Sequence, residues 1–229
     1  RGLVEMNSEV TPASEKMVHI IGGSSKVSQI LVEKLSGTKV SIYGRNADLF
    51  LDPSVFVEGL DKTAFHIFVY MSSILYATKM SMQTENEMRD SFKINCWIPC
   101  SLLEILNDAK VYRFKFIYIS SESAKKGSYD SSYALSKAAS ERFIKELRLK
   151  NKDSSCFGVA PSTIEDAGMT ISRTDKSRLE NYRLEHPKQR FLTSDELASL
   201  LSDLINSKID YLTNTIIDLN GGKFSRSRY

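Results

Sequence analysis

Short apolar runs alternate with longer amphipathic segments along almost the whole chain. The strand-like runs are MVHIIG, KVSIYG, HIFVYMSS, YRFKFIYISS, SCFGVAPS and NTIIDLNGG. Between several of them, apolar residues recur at helical spacing, as in SQILVEKLSG, TENEMRDSFKINCWIPCSLLEILND, SSYALSKAASERFIKELRLK and TSDELASLLSDLINS. Strands that are apolar almost throughout are buried on both faces, as in parallel sheets. The alternation therefore predicts an α/β fold: a doubly wound, mainly parallel sheet with helices on both faces.

The length of the chain, 229 residues, fits one such domain. We expect residues 1–16 to form a flexible N-terminal arm and residues 17–229 to form the single domain. The segment 167–190 is polar, charged and only weakly periodic, so it is either a solvated insertion or a mobile lid over a site.

The composition argues against several classes of protein. Lys and Arg number 31 against 28 Asp and Glu, too even a balance for a nucleic-acid-binding surface. No apolar run approaches the roughly 20 residues of a membrane span, and the first residues lack the pattern of a signal peptide. Cys96, Cys100 and Cys156 form no CxxC pair, which favours free thiols and a cytoplasmic location. The three histidines are far apart, so we expect no metal site.

Polar residues that follow the strands are candidates for chemistry, because ligands of such sheets bind beyond the carboxyl ends of the strands. Asn95, Ser120, Ser121, Tyr133 and Lys137 stand out. Tyr133 and Lys137 are four residues apart, which places both on one helix face. An adjacent ammonium lowers the pKa of a tyrosine, and a serine hydroxyl can polarise a carbonyl that receives the tyrosine's proton.

These residues resemble a family, the short-chain dehydrogenases/reductases. FIYISSESAKKGSYDSSYALSKAASE is similar to that family's strand, serine and Tyr-x-x-x-Lys helix, and FKINCW to its helix asparagine. The resemblance implies a Rossmann-type domain with the catalytic tetrad Asn95, Ser121, Tyr133 and Lys137. Ser120 has the commoner spacing to Tyr133, but the second serine of the pair is the usual catalytic one. The family also implies a homodimer or homotetramer.

The glycine-rich loop departs from the family pattern. At the positions of Thr-Gly-x-x-x-Gly-x-Gly the chain has Ile21, Gly22, Lys26 and Ser28. Lys26 either places its ammonium on a cofactor phosphate or leaves the site weakened or empty. Arg45 follows the second strand, where an arginine can bind a 2′-phosphate, so the resemblance implies NADP(H) rather than NAD(H).

The chain between Arg45 and His66 is too short for the helix and strand usual there. We expect LFLD to be the next strand, with Asp52 near the adenine. The full set of expected cofactor-binding residues is Gly22, Gly23, Ser24, Ser25, Lys26, Val27, Arg45, Asp52, Ser72, Pro161, Thr163 and Ile164.

The sequence thus predicts an NADP(H)-dependent oxidoreductase that reduces a small-molecule carbonyl to an alcohol, or the reverse, with Tyr133 as acid/base. Two alternatives stay open. A non-catalytic relative would bind nucleotide weakly and act through protein contacts, as the altered glycine loop suggests. A nucleotide-sugar epimerase or dehydratase shares Tyr-x-x-x-Lys, but such relatives usually have a longer C-terminal substrate region.

Overall fold

Six parallel strands form one sheet in the part of the chain that the computed structural model describes, residues 15–171 and 176–223. The strand order is β2-β1-β3-β4-β5-β6, and every neighbouring pair is parallel. The strands are β1 (Lys16–Ile21), β2 (Lys39–Tyr43), β3 (Phe65–Tyr70), β4 (Arg113–Ile119), β5 (Ser155–Pro161) and β6 (Thr215–Leu219). The predicted doubly wound α/β fold is confirmed. The expected N-terminal arm lies outside the described residues, apart from Glu15 and Lys16, and Lys16 already belongs to β1.

Helices connect the strands and cover both faces of the sheet. The helices of the described residues are α1 (Lys26–Lys34), α2 (Pro53–Glu58), α3 (Glu85–Phe92), α4 (Ile98–Ala109), α5 (Ser123–Lys126), α6 (Ser131–Glu146), α7 (Gly168–Ile171), α8 (Lys176–Glu185) and α9 (Ser194–Asn206). None of these helices has the length and apolar character that crossing a membrane requires.

Each strand serves two cores, because successive side chains point to opposite faces of the sheet. In β1, Val18 and Ile20 are fully buried with apolar residues of α1 and α9. Ile21 is fully buried in the second core, which α2, α4 and α6 cover. Since all strands run in one direction, the polar loops after them meet at one edge of the sheet, where the candidate residues lie.

A π turn interrupts the predicted long helix at Lys93–Trp97, between α3 and α4. Pro99 accounts for it, because proline has no N–H to donate to the carbonyl four residues earlier, which is that of Asn95. The Asn95 carbonyl instead accepts hydrogen bonds from the Tyr118 hydroxyl at 2.5 Å and from Ser140 Oγ at 2.9 Å. The π turn therefore ties this helix to β4 and α6 at the site.

The prediction that LFLD forms a strand is wrong. Asp48–Phe50 is a short 3₁₀ helix, and its Leu49 and Phe50 are buried in the core beneath α2. Asp52 then caps α2 by accepting a hydrogen bond from the Ser54 N–H at 2.8 Å, and Pro53 occupies the first helical position. An Asp-Pro pair favours the start of a helix. The sheet is trimmed on this side as expected, and β2 is its outermost described strand.

Two histidines from neighbouring strands are buried together under α2. His19 of β1 and His66 of β3 share a hydrogen bond of 2.9 Å between Nε2 and Nδ1. The Tyr43 hydroxyl lies 3.1 Å from His19 Nδ1, and the Asp61 carbonyl accepts from His66 Nε2 at 2.7 Å. Burial, and then the neighbouring His66, lower the pKa of His19 to about 3.

We predict that acid destabilises the fold through His19. The unfolded chain protonates this residue near its ordinary pKa of 6.5, but the folded chain protonates it only near 3. The contribution of neutral His19 to the free energy of unfolding is therefore fully present above pH 6.5 and is lost as the pH falls toward 3. The loss is at most about 1.4 kcal/mol per pH unit for one proton. Urea unfolding at several pH values between 7 and 4 gives the free energy of unfolding as a function of pH. This free energy should fall less steeply with falling pH in His19→Gln than in the wild type. Tyr43→Phe, which keeps both imidazoles, should show the same pH dependence of unfolding as the wild type. If His19→Gln also shows the wild-type pH dependence, His19 is not the cause of the acid destabilisation.

Candidate active site

The two serines after β4 point in different directions. Ser120 is buried, and its Oγ donates a hydrogen bond of 2.7 Å to Glu141 of α6. Ser121 Oγ accepts from the Ser123 N–H at 3.1 Å, and Ser121 is near enough to Tyr133 to act on its pKa. Ser121 therefore lies on the Tyr133 side, whereas the Ser120 hydroxyl is directed to Glu141.

Tyr133 and Lys137 lie one turn apart on α6, and both are buried. Asp130 fixes the start of this helix, because its carboxylate accepts from the N–H of Tyr133 at 3.0 Å and from Ser132 Oγ at 2.7 Å. Lys137 Nζ donates to the Ile119 carbonyl at 2.7 Å, and it lies 5.9 Å from the centre of the Tyr133 ring. Tyrosine, lysine and the end of β4 therefore meet at one point.

The electrostatics of this pair differ from the sequence-based expectation. Burial raises the pKa of Tyr133, although the hydroxyls of Ser121 and Ser73 act in the opposite direction. Burial also lowers the pKa of Lys137 to about 7. Desolvation of both groups thus outweighs the expected lowering of the tyrosine pKa by the lysine. In this state Tyr133 is a protonated hydroxyl, able to donate its proton.

Asn95 is completely buried, and its side chain joins the loop after β3 to α6. Its Oδ1 accepts from the Ile74 N–H at 2.9 Å and from Ser73 Oγ at 3.0 Å, in the loop after β3. Its Nδ2 donates to the Ile74 carbonyl at 2.9 Å and to Ser136 Oγ of α6 at 3.1 Å. The side chain therefore holds the loop that carries Ser73 against the Tyr133 helix.

The loop after β1 keeps one glycine in the conformation that glycine favours. Gly22 has φ +107°, and a Cβ on it would lie 2.5 Å from the backbone nitrogen of Ser72. A Cβ on Gly23 would lie 2.0 Å from Cγ2 of Ile42. Both glycines thus permit close packing against neighbouring strands or the loops that follow them.

α1 begins directly after this loop. Ser25 caps the helix by accepting from the Ser28 N–H at 3.1 Å, and Val27 packs into the core. Ser24 lies in the turn before this cap. Lys26 is the first helical residue, and its Nζ forms an ion pair of 2.8 Å with Asp166. The N–H groups of Lys26 and Val27 have no acceptor within the helix, as is general for a first turn.

The other expected cofactor residues lie at three places: after β2, after β3, where Ser72 is buried, and at the end of β5. Arg45 is exposed after β2, whereas Asp52 serves as the cap of α2. Pro161 ends β5, where its carbonyl accepts from the Glu122 N–H at 2.9 Å. Thr163 and Ile164 pair with Leu192, through a 3.1 Å hydrogen bond to the Thr163 carbonyl and a β-bridge.

Sequence reasoning missed three carboxylates at this edge: Asp130, Asp166 and Glu122. Glu122 is buried next to Ser121, and its Oε1 accepts from Lys126 and, at 3.0 Å, from Lys223. An Asp three residues before the tyrosine is a helix-cap signal that was available in the sequence. Lys26, the partner of Asp166, and Lys223, the second partner of Glu122, are far away in sequence, so no local pattern reveals these two contacts.

The segment 167–190 contains α7 and α8. Two of its basic residues pair with carboxylates: Arg183 with Glu180, and Arg190 with Glu196 at 2.7 Å. Such pairing is typical of a solvated charged surface. Arg173, another basic residue of this segment, lies outside the described residues.

Comparison with known proteins finds similarity in structure alone. No protein-family model matches the chain, and no curated protein matches its sequence. Among solved structures, a short-chain glucose/ribitol dehydrogenase from Brucella melitensis superimposes with a TM-score of 0.78 at 17% identity, covering 92% of this chain and 97% of that one. A putative 2-deoxy-d-gluconate 3-dehydrogenase from Agrobacterium tumefaciens with bound NADP gives 0.78 at 18% identity, covering 93% and 98%.

An aldohexose dehydrogenase from Thermoplasma acidophilum is similar to the same degree, with a TM-score of 0.76 at 19% identity, covering 95% of this chain and 97% of that one. The chain therefore has the fold of short-chain dehydrogenases/reductases over nearly its whole length, as the sequence motifs predicted.

We predict that Asn95→Ala destabilises the protein by about 2–4 kcal/mol, because it leaves several buried polar groups without partners. Asn107 of α4 offers a matched control: it is also buried, but it makes two hydrogen bonds, at 3.1 and 2.8 Å, to backbone groups around Arg148. Asn107→Ala should lower the free energy of unfolding by less than Asn95→Ala does. Urea unfolding measures both variants, and an equal or larger loss for Asn107→Ala would contradict the bracing role of Asn95.

Proposed function

We propose that this chain is an NADP(H)-dependent short-chain oxidoreductase that reduces a small-molecule carbonyl to an alcohol, or catalyses the reverse reaction. One observation supports this most directly: the Tyr133 hydroxyl lies by Ser121, with Lys137 one turn further along α6, at the carboxyl edge of the sheet. A hydroxyl pair at this edge suits proton transfer to a carbonyl oxygen.

The residues around β1 fit a dinucleotide in two respects. The tight contact of Gly22 with the Ser72 backbone keeps the turn close to the sheet, and the N-terminus of α1 offers N–H groups and a positive dipole end to a phosphate. Gly22, Gly23, Ser24, Ser25 and Val27 would line the pyrophosphate. Ser72, Pro161, Thr163 and Ile164 would flank the rest of the cofactor, but Asp52, being the cap of α2, is not part of this proposal.

A nicotinamide cofactor held by these residues would supply or accept the hydride. Tyr133 gives its proton to the carbonyl oxygen, and its raised pKa keeps that proton in place until charge develops on the oxygen. Ser121 donates a hydrogen bond to the same oxygen. Lys137 has a pKa of about 7, so near neutral pH it can take up and release a proton behind the tyrosine.

Asn95 is a positioning residue in this scheme, because its hydrogen bonds hold the loop of Ser73 and the helix of Tyr133 in register. Ser73 in turn is near enough to Tyr133 to act on its pKa. The proposal also includes a homodimer or homotetramer, as expected from the resemblance.

The proposed preference for NADP(H) depends on Arg45. Its guanidinium is exposed beyond β2, where a 2′-phosphate can form charge-assisted hydrogen bonds with it. The NADP bound in the Agrobacterium tumefaciens structure agrees with this preference.

Two observations favour a second function, that of a non-catalytic protein with a weakened nucleotide site. Lys26 stands at the second-glycine position of the loop and is already paired with Asp166. Ile42 also packs closely against Gly23. Both features reduce the freedom of the loop to accept a phosphate.

We predict that NADPH binds saturably at sub-millimolar concentration and that Tyr133→Phe abolishes turnover while leaving this affinity nearly unchanged. The loss should be about 10²- to 10⁴-fold, since the substitution removes a general acid. Nicotinamide fluorescence measures binding, and NADPH oxidation against a panel of aldehydes and ketones measures turnover. Absence of binding in the wild type would support the non-catalytic alternative, and retained activity in Tyr133→Phe would refute the role of the tyrosine.

The two serines after β4 provide an internal control for this experiment. Ser121→Ala should lower turnover, because it removes the hydroxyl that lies by Tyr133. Ser120→Ala should affect stability more than turnover, because Ser120 bonds to Glu141 instead. The opposite pattern would assign the catalytic role to Ser120.

We predict that Arg45→Ala weakens the binding of NADPH by about tenfold and leaves that of NADH unchanged, because only NADPH has a 2′-phosphate for a charge-assisted hydrogen bond. Lys39→Ala is the matched control, since it removes a cation from the other end of β2. Fluorescence titration measures both ligands. Equal losses for NADPH and NADH would count against a phosphate contact.

A further inference from the structure

An ion pair joins the first residue of α1 to the loop after β5. Lys26 Nζ lies 2.8 Å from Asp166 Oδ2. The other oxygen of Asp166 accepts from the Ser194 N–H and from Ser194 Oγ, each at 2.8 Å. Ser194, the first residue of α9, thus holds the Asp166 carboxylate in position. The carboxylate in turn holds the ammonium group of Lys26.

The position of this carboxylate is one that suits an anion. Lys26 is the first residue of α1, a nine-residue helix, so the ammonium and the positive end of the helix dipole lie together. Asp166 meets the same ammonium that an incoming phosphate would meet. Its own hydrogen bonds to Ser194 keep it in place when the lysine leaves.

Asp166 is ionised and the pair is accessible to solvent. Although burial acts in the opposite direction, the hydrogen bonds from Lys26 and Ser194 lower the pKa of Asp166 to about 2. Asp166 therefore remains a carboxylate at neutral pH. The Lys26 side chain is 54% exposed and that of Asp166 is 29% exposed, so solvent screens the pair and a dissolved anion can compete for the lysine.

We propose that Asp166 is an internal competitor for Lys26, and that the lysine exchanges this carboxylate for a phosphate of a bound nucleoside diphosphate or dinucleotide. This inference rests on the proposed function. It makes Lys26 a phosphate-binding residue and Asp166 the residue that limits nucleotide affinity.

The test compares NADPH dissociation constants for the wild type, Asp166→Asn, Lys26→Met and the double variant. Asparagine keeps an oxygen for Ser194 but loses the charge, so Asp166→Asn should tighten binding by about three- to fivefold, the upper range for an exposed ion pair. Lys26→Met should weaken binding by a similar factor. The double variant should resemble Lys26→Met, because the carboxylate acts only through the lysine.

A second ion pair, between α1 and α9, serves as the matched control. Lys34, in the last turn of α1, pairs with Asp195 of α9 at 2.9 Å. Asp195→Asn and Lys34→Met should leave NADPH affinity unchanged. Adenosine, which has no phosphate, should bind all variants equally, and the thermal midpoint of each variant shows that it is folded.

Three other results would refute the exchange, and the third would also refute the proposed nucleotide site. If Asp166→Asn leaves NADPH affinity unchanged while the wild type binds, the exchange is refuted and the proposed function stands. If Lys26→Met tightens binding, the lysine obstructs the phosphate and the exchange is again refuted. If neither the wild type nor any variant binds NADPH, the proposed nucleotide site itself is refuted, and the exchange with it.

Discussion

The arrangement of the candidate site depends on the hydrogen bonds that the backbone carbonyl of Asn95 accepts. Pro99 cannot donate to it, so the helix widens into a π turn and the free oxygen accepts from Tyr118 of β4 and Ser140 of α6. An unsatisfied buried carbonyl would be costly. These two hydroxyls therefore fix the distance between the sheet, the Tyr133 helix and the loop that the Asn95 side chain holds.

Burial gives the candidate site its chemical character. Tyr133 and Lys137 are both removed from water, and desolvation favours the neutral form of each group. A neutral tyrosine retains its proton, and a lysine whose pKa is about 7 is close to balanced between its two forms. The site is therefore set for moving protons rather than for holding a permanent charge, which fits the reduction of a carbonyl better than the binding of an anion.

The sequence predicted the fold because each element has a local signal. Strand burial, helical periodicity and caps such as Thr193 with Glu196 lie within a few residues of one another. LFLD was misjudged because an apolar triplet fits a strand and a 3₁₀ helix equally, and the Asp52-Pro53 cap decided the outcome. The ion pair of Lys26 with Asp166 spans 140 residues of sequence and appears only after folding. The roles of the site residues stay predictions.

The contact between Gly22 and Ser72 has a consequence for how degenerate nucleotide loops are interpreted. A side chain at Gly22 would collide with the neighbouring backbone whether or not any ligand is bound. Ser28, at the third-glycine position, is accommodated by a hydrogen bond of 2.6 Å from its hydroxyl to the Ser25 carbonyl. The packing of this fold therefore requires a glycine at position 22 with or without a nucleotide, while position 28 accepts a side chain. The first glycine of this loop is thus a mark of the architecture and is not by itself evidence of a bound nucleotide.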